Sequence, residues 1–399
     1  MIRNNCRGCE SDNLKRILDL GKMPLAGGFL SNAEEEKKEK LYPLSIYVCH
    51  DCGLIQILEA ISPEILFQDY SFSSSTVGPL VQHFEDYAVW LYDKLAPEFV
   101  VEFGCNDGIL LKQLLQLGVK TCGVDVSENI TQMARGDGLD VISGYFDETV
   151  AESIKQRLGQ ADVVTGSNAF AHNDKPEIIL KAAKHILRAD GYLSLEVMYA
   201  GDLLDKVQWD TLYHEHLTFY CLTSLEVLLK RYGFKIVEAE RIPMHGGSLR
   251  IVATQNPDKK PSKSVAEIKS YEKEKSLADP ETWINFGQNV SRKIDVVRYT
   301  LGKLSKNSRI WGYGAAGKAT LWINACEMDY LEAMVDASPL REGKLMPGTH
   351  TPIVFPNELK KNPPDYIFVT AWNYADLIRS KEKWFKGVWV TPLPFMRFF

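Results

Sequence analysis

The chain of 399 residues is too long for one ordinary hydrophobic core, so two or three domains are expected. Hydrophobic residues make up 45% and charged residues 25%, the balance of a soluble globular protein. The polar start and the lack of a long apolar run predict a cytoplasmic protein that does not enter membranes. The net charge of −6 disfavours nucleic acid as a partner, because duplex binding needs a basic face.

The first sixty or so residues are turn-rich and contain two CxxC pairs. Each short turn points both of its sulfurs the same way, so the two pairs can supply a tetrahedral four-thiolate zinc site. Such a site has no open position for chemistry, which favours a structural role. Two unrelated thiol pairs, or a redox pair, are the alternative. The predicted zinc ligands are Cys6, Cys9, Cys49 and Cys52.

The next part of the chain begins with an amphipathic helix at 80–95 and then alternates strands with helices. This α/β alternation predicts a mostly parallel sheet with helices on both faces, closed by an antiparallel pair. The predicted strands are 99–104, 121–126, 140–143, 161–166, 192–197, 234–240 and 248–253. The polar stretch 256–307 indicates long exposed helices that act as a connector. A second, smaller alternating block begins at Arg309.

A glycine-rich loop follows the first predicted strand of the larger block. Its glycines let the backbone approach a ligand, and the following helix start favours a polar group there. The loop lacks the third glycine of a dinucleotide motif, which argues against a nicotinamide cofactor. Asp125 ends the next strand, where a carboxylate can accept two hydrogen bonds from a ribose diol. The ordered set looks like motifs I and II of the class I methyltransferases and predicts S-adenosylmethionine as cofactor. The predicted cofactor contacts are Glu102, Gly104, Asn106, Gly108, Asp125, Val126, Phe146, Asp147 and Asn168.

A cluster of histidine, glutamate and tyrosine follows the fifth strand, at Tyr213, His214, Glu215 and His216. Methylation of a carbon needs a base, and a neutral imidazole is suitable near pH 7. A tyrosine hydroxyl or a second histidine can then stabilise the enolate oxygen, while Glu215 can orient an imidazole or act as the base itself. A second metal site, or histidines that cap the next helix, are the alternatives. The weaker candidates for the same pocket are Tyr70 and His172.

A second glycine-rich turn at 312–320 has the form GxGxxG and opens a helix. It suits a diphosphate, with Lys318 as added charge, although this motif alone is weak and a domain that only packs is the alternative. Asp336 ends the following strand, where it can meet a sugar hydroxyl. The polar turn at 245–250 also permits close ligand approach, and a simple hairpin is equally compatible with it. The candidate substrate contacts are Arg250, Gly314, Ala315, Lys318 and Asp336.

Taken together, these motifs resemble the sugar C-methyltransferases of deoxysugar biosynthesis. The resemblance covers nearly the whole chain and rests on the two CxxC pairs, EFGCNDG at 102–108, TLYHEHLTFY at 211–220, HGGSLR at 245–250 and GYGAAGKA at 312–319. It implies a zinc-binding domain at 1–75 and a class I methyltransferase domain with a doubly wound sheet at 76–255. The helical connector and a C-terminal Rossmann-like domain follow at 256–399.

The resemblance also implies a reaction: methyl transfer to C-3 of a nucleotide-diphosphate-linked 4-keto-deoxysugar, typically dTDP-linked. In that scheme His216 removes the proton alpha to the ketone, Tyr213 and Glu215 stabilise the enolate, and the C-terminal domain holds the nucleotide diphosphate. Enolisation toward C-5, a different nucleotide, and Glu215 as the base remain open. Methylation of oxygen or nitrogen, or a zinc-bearing binding module without catalysis, are the competing functions. The chain has no strong oligomerisation signal, so a monomer or weak oligomer is expected.

Overall fold

The computed structural model describes residues 2–67, 74–76 and 78–399, which build three sheets. Within these residues, no helix combines the length and the apolarity that crossing a membrane requires. The first sheet is four-stranded and antiparallel, in the order β1-β2-β3-β9, where β9 is Thr218–Phe219. The N-terminal elements are β1 Leu14–Met23, α1 Ala33–Glu36, β2 Tyr42–Cys49, β3 Ile55–Ile57 and α2 Pro63–Phe67.

The central sheet has seven strands in the order β10-β11-β8-β7-β4-β5-β6. Neighbouring strands are parallel from β8 to β6, and β11 is antiparallel to both of its neighbours, as the alternating pattern predicted. The strand order changes direction between β4 and β7, so a crevice for a ligand opens at the carboxyl ends of these strands. The elements are α3 Gly78–Leu95, β4 Phe99–Phe103, α4 Ile109–Gln116, β5 Lys120–Asp125, α5 Glu128–Gly136, β6 Val141–Ser143, α6 Glu148–Leu158, β7 Ala161–Ser167, α7 Pro176–Ile186, β8 Leu187–Met198, α8 Ala200–Lys206, β9 Thr218–Phe219, α9 Leu222–Arg231, β10 Lys235–Ile242 and β11 Ser248–Thr254.

The third sheet belongs to the C-terminal α/β unit and has the order β14-β13-β12-β15-β16-β17. Its strands are parallel except for β17 at the edge. The doubly wound fold predicted for both alternating blocks is confirmed. The elements are α10 Lys263–Glu274, α11 Pro280–Leu304, β12 Ile310–Tyr313, α12 Gly317–Ala325, β13 Met334–Val335, β14 Ile353–Val354, α13 Pro356–Lys361, β15 Tyr366–Val369, α14 Ala375–Lys381, β16 Val388–Thr391 and β17 Arg397–Phe398.

Helix α11 is not the exposed connector that its charge content predicted. It buries one complete face, which includes Trp283, Phe286, Val290 and Ile294. These residues recur at helical spacing and pack toward strand β1, so close to it that a Cβ added at Gly287 would lie 1.7 Å from the carbonyl oxygen of Ile17. The connector is therefore part of the core beneath the N-terminal sheet.

Strand β9 joins the central part of the chain to the N-terminal sheet. It pairs with β3, and the amide of Ile57 donates to the carbonyl oxygen of Leu217 at 3.0 Å. On the other side, the amide of Leu217 donates to Ala171 at 3.0 Å, and that of Ala200 donates to Tyr220 at 2.9 Å. The segment 211–220 is therefore held between the N-terminal sheet and the carboxyl edge of the central sheet.

Candidate active site

The four predicted zinc ligands converge at the edge of the N-terminal sheet. The sulfurs of Cys6 and Cys52 are 3.6 Å apart, those of Cys9 and Cys49 are 3.5 Å apart, and all four lie within 4.8 Å of one another. A tetrahedral zinc ion with Zn–S bonds of about 2.3 Å requires sulfur–sulfur distances of roughly 3.8 Å, which is close to these values. The amide of Gly8 also donates to the Cys6 sulfur at 3.3 Å. The donor set and its geometry fit structural zinc.

The backbone of the predicted cofactor loop lies close to the loop after β7, as its glycines permit. Gly104 has φ +65°, and a Cβ added there would lie 2.3 Å from the Cβ of Ala169 in the loop after β7. The amide of Asn106 donates to a carboxylate oxygen of Asp125 at 2.9 Å, which ties the loop to the end of β5. Gly108, at φ +75°, then begins helix α4. The backbone of this loop therefore lies open at the carboxyl ends of β4 and β5.

Two carboxyl groups beside this loop suit a cationic ligand. Burial, followed by the charges of Asp125 and Glu196, raises the pKa of Glu102 well above its ordinary value. Its Oε2 atom is buried and has no hydrogen-bond partner within the described residues. Burial also raises the pKa of Asp125, whose other oxygen accepts from the amide of Ser127 at 2.9 Å. S-adenosylmethionine carries a sulfonium and an ammonium group, so its positive charge would satisfy this acidic, underbonded position.

The remaining predicted cofactor contacts have different surroundings. Phe146 is buried and its ring stacks on that of Phe103 at 5.8 Å, while the Asp147 side chain accepts from the amide of Val150 and caps helix α6. Val126 is half-buried, and Asn168 has a left-handed φ of 55°. The Oδ1 atom of Asn168 accepts from the Ser248 hydroxyl at 3.4 Å. The side chains of Phe146 and Asp147 are thus engaged within the fold.

His216 is held in one tautomer. Its Nδ1 atom lies 2.7 Å from the carbonyl oxygen of Thr211. A carbonyl oxygen only accepts hydrogen bonds, so Nδ1 carries the proton and Nε2 keeps its lone pair. Burial, followed by the nearby His172, lowers the pKa of His216 well below its ordinary value. The imidazole is therefore neutral at physiological pH, with an unprotonated lone pair at Nε2.

Two further imidazoles lie beside His216. The ring centroids of His172 and His216 are 5.1 Å apart. Burial, followed by the charge of His245, lowers the pKa of His172 to about 4. The sequence singled out the turn that contains His245 without assigning this residue to the site. The signal was present in the HGGSLR motif, but its distance from 211–220 along the chain hid the contact.

Tyr213 and Glu215 lie at the junction between the domains. The Tyr213 ring centroid is 4.0 Å from that of His216, and a Cβ added at Gly317 would lie 3.3 Å from Tyr213 Cζ. A Cβ added at Gly27 of the N-terminal domain would lie 3.3 Å from Glu215 Oε1. Burial raises the pKa of Glu215 to about 7. Tyr213 therefore lies against His216, and the Glu215 carboxyl lies beside the N-terminal domain at Gly27.

The side chains of His214 and Arg250 have partners elsewhere in the fold, and their predicted roles stay predictions. The segment 213–216 is a turn, and it directs His214 to the carbonyl oxygen of Pro43 at 3.1 Å. Arg250 donates to the buried carboxylate of Glu196 at 2.8 Å and packs over the Tyr87 ring. Both side chains are engaged by the fold rather than directed toward His216. Tyr70 lies outside the described residues.

The C-terminal glycine turn faces the segment 211–220. Gly314 has φ +101°, and Lys318 is close enough to lower the pKa of both His216 and His245. The Ala315 side chain is completely buried, so this residue offers only its backbone. Asp336 accepts from the amide of Ser338 at 2.8 Å and pairs with Arg341 at 3.2 Å.

Asp210 joins the segment 211–220 to the C-terminal unit, a role that the sequence did not reveal. Its Oδ2 atom accepts from the indole N–H of Trp322 at 3.0 Å and from that of Trp372 at 2.7 Å. The ammonium group of Lys318 lies 5.2 Å from the centre of the Trp372 ring. One buried carboxylate thus fixes the glycine turn against residues 211–220.

Family models match three consecutive parts of the chain. Residues 6–67 match "Putative zinc binding domain", residues 84–239 match "Methyltransferase domain", and residues 243–394 match "C-methyltransferase C-terminal domain". The C-methyltransferase NovU of Streptomyces niveus is 31% identical over 401 residues, which cover 98% of this chain and 96% of that protein. The ubiquinone biosynthesis O-methyltransferase of Cupriavidus pinatubonensis is 32% identical over 101 residues, which cover 25% of this chain and 41% of that protein.

The solved structure of magnesium protoporphyrin IX methyltransferase from Synechocystis with bound S-adenosylmethionine is 16% identical and covers 49% of this chain and 99% of that one. The TM-score of this comparison is 0.37. The central sheet, its cofactor loop and the matching domain models define a class I S-adenosylmethionine-dependent methyltransferase with a structural zinc site. Since the similarity to NovU spans both proteins almost end to end, the chain belongs to the C-methyltransferase family that includes NovU.

Proposed function

We propose that the chain methylates a nucleotide-diphosphate-linked 4-keto-deoxysugar at the carbon alpha to the ketone, with C-3 as that carbon and a dTDP-linked sugar as substrate. The observation that carries the proposal is the fixed, neutral tautomer of His216, with Nδ1 bonded to Thr211 and Nε2 left as a base. A carbon beside a ketone has no lone pair until a proton is removed, so its methylation needs such a base.

The roles of the residues follow from their surroundings. His216 Nε2 accepts the alpha proton, and Tyr213 and the protonated form of Glu215 donate hydrogen bonds to the enolate oxygen that develops. His172 adds no positive charge beside the base, because burial holds its imidazole neutral. The chemistry supplied at residues 102–108 by bound S-adenosylmethionine is an electrophilic methyl group.

The position of the second glycine turn supports a nucleotide-linked acceptor. Gly317 and Lys318 begin helix α12 beside Tyr213, so a diphosphate at this helix start would leave its sugar near His216. In this proposal Gly314 and Ala315 contribute backbone amides, and Asp336 accepts from a sugar or ribose hydroxyl. The match to C-methyltransferase NovU supports methylation of carbon rather than of oxygen or nitrogen.

The test combines product analysis with proton exchange. A panel of nucleotide ketosugars is incubated with ¹³C-methyl-labelled S-adenosylmethionine, and NMR locates the new methyl group. In a second reaction in deuterium oxide, S-adenosylhomocysteine replaces the methyl donor, and we expect wild-type protein to exchange the alpha proton. His216→Ala should lose both activities, whereas His185→Ala, at an exposed ion pair with Glu152, should retain them. A new methyl group on oxygen or nitrogen would overturn the proposal. So would exchange of the alpha proton by His216→Ala at the wild-type rate.

A further inference from the structure

Arg7 lies between two zinc ligands, and its side chain is completely buried. A buried guanidinium is costly unless its donors are satisfied, and the partners of Arg7 satisfy them. Its Nε and Nη2 atoms donate to Asp174 Oδ1 at 3.1 and 2.8 Å. Its Nη1 atom donates to the Gln56 side chain at 3.3 Å and to the carbonyl oxygen of Ile57.

These partners belong to the two segments that carry the histidines. Asp174 is two residues after His172, in the loop at the carboxyl end of β7. Gln56 and Ile57 form part of β3, which pairs with β9, and the amide of Ile57 bonds to Leu217, the residue after His216. The Arg7 guanidinium therefore connects the zinc-ligand turn, residues 6–9, to the segment that contains His172 and, through β3, to the segment that contains His216.

We propose that the zinc-ligand turn is a positioning element of the active site, in which Arg7 holds the His172 and His216 segments in register. Zinc fixes the turn 6–9, the turn fixes the guanidinium, and the guanidinium fixes the two segments. Arg7 does not touch the reacting atoms, so it is a positioning residue, and its effect on catalysis rests on the proposed function of His216. Its described hydrogen bonds go to residues 56, 57 and 174 rather than to the cofactor loop, so cofactor binding should not depend on it.

The same turn offers a matched control. Arg231 of helix α9 donates to the carbonyl oxygen of Gly8 at 2.7 Å and pairs with Glu10 at 2.6 Å. It therefore fastens the zinc-ligand turn to the methyltransferase domain without contacting the loop after His172. If the turn only docks the two domains, Arg7→Ala and Arg231→Ala should have similar effects. If Arg7 positions the histidines, only Arg7→Ala should disturb them.

The first readout needs no substrate. Protein labelled with ¹⁵N-histidine is titrated by NMR, and the His172 signal is assigned with His172→Gln. In wild type, burial and the facing His245 hold the pKa of His172 at about 4, and His216 is its other imidazole neighbour. We expect Arg7→Ala to raise the pKa of His172 by about one unit or more as water reaches the loop, and Arg231→Ala to leave it unchanged. Zinc content and S-adenosylmethionine affinity should match wild type in both variants.

The second readout is alpha-proton exchange of the ketosugar. Because a small misplacement of a base lowers the reaction rate strongly, Arg7→Ala should lower kcat roughly tenfold to a hundredfold with little change in KM. Arg7→Lys should recover part of this loss. Arg231→Ala should keep a kcat near that of wild type. Asp174→Asn is the second variant and should repeat the Arg7→Ala changes if the latter folds poorly. An unchanged His172 titration in Arg7→Ala and Asp174→Asn, or equal changes in Arg7→Ala and Arg231→Ala, would overturn the proposal. If wild-type protein exchanged no ketosugar proton while the His172 signal still responded to Arg7→Ala, the proposed function would fail and the positioning role would stand.

Discussion

At the scale of single residues, burial acts on an acid and a base that are neighbours in the sequence. It raises the pKa of Glu215 to about 7 and lowers that of His216 well below its ordinary value. Both changes have the same cause, because a low-dielectric environment disfavours the charged form of either group. Below about pH 7 the pair is therefore a protonated donor and an unprotonated acceptor. This is the combination that enolisation and enolate stabilisation require.

The pH profile of kcat should report this pair. His216 stays unprotonated well below pH 6.5, so activity should fall only as the pH drops through its lowered pKa. Glu215 is protonated below its pKa of about 7, so donation should be lost as the pH rises through that value. Glu215→Gln keeps a donor that does not titrate, so we expect the loss at high pH to disappear while the loss at low pH remains. A profile of the variant that falls above pH 7 as in wild type would show that Glu215 is not the donor.

Gly104 lets the backbone of the cofactor loop lie closer to Ala169 than a residue with a Cβ would allow. In Gly104→Ala the new Cβ would meet Ala169 at 2.3 Å, and φ +65° is strained for alanine. We expect the loop to shift and S-adenosylmethionine affinity to fall at least about tenfold in calorimetry, an energy of about 1.4 kcal/mol. Gly118→Ala is the control, because Gly118 has φ +80° but no atom within 4 Å of the added Cβ. Equal losses of affinity in both variants would show that strain, rather than loop position, is responsible.

At the scale of secondary-structure elements, local pattern was a good guide and long-range pairing was not. The alternation of strands and helices from residue 99 predicted the central sheet because each element carries its own hydrophobic period. Both CxxC turns and the loop at 102–108 are contiguous motifs, so their geometry was also predictable. The pairing of β3 with β9 was not, because it depends on residues far apart in the chain. The contact of the His214 side chain with Pro43 was not predicted for a related reason. It depends on the turn at 213–216, whose conformation the sequence pattern does not specify.

Helix α11 shows what composition alone conceals. Its charged residues predicted an exposed connector, yet Gly287 contacts the carbonyl oxygen of Ile17 on strand β1. Gly287→Ala should force the helix and strand apart and lower the free energy of unfolding by about 1–3 kcal/mol in urea titration. Gly302→Ala lies in the same helix, where the nearest atom to an added Cβ is 4.0 Å away, so it should be neutral or slightly stabilising. If Gly287→Ala were as stable as Gly302→Ala, the packing of α11 on β1 would be wrong.

At the scale of the whole molecule, the segment 210–220 contacts all three parts of the chain. His214 bonds to the N-terminal domain at Pro43, Leu217 bonds to the central domain at Ala171, and Asp210 bonds to two tryptophans of the C-terminal unit. The site is thus assembled between domains rather than within one. We therefore expect contacts between domains to control the acceptor substrate, while the loop at 102–108 controls the methyl donor separately.

Trp372→Phe tests this separation. The substitution removes the indole N–H that bonds to Asp210 but keeps an aromatic face for Lys318, so it should loosen the glycine turn without unfolding the C-terminal unit. We expect KM for the nucleotide ketosugar to rise about fivefold to tenfold, the net worth of one ordinary hydrogen bond, while S-adenosylmethionine affinity stays at its wild-type value. Trp384→Phe is the control, because that indole bonds to Glu382 within the same unit. A rise in KM in both variants, or a loss of S-adenosylmethionine affinity in Trp372→Phe, would contradict separate control, because the C-terminal unit would then act through overall stability.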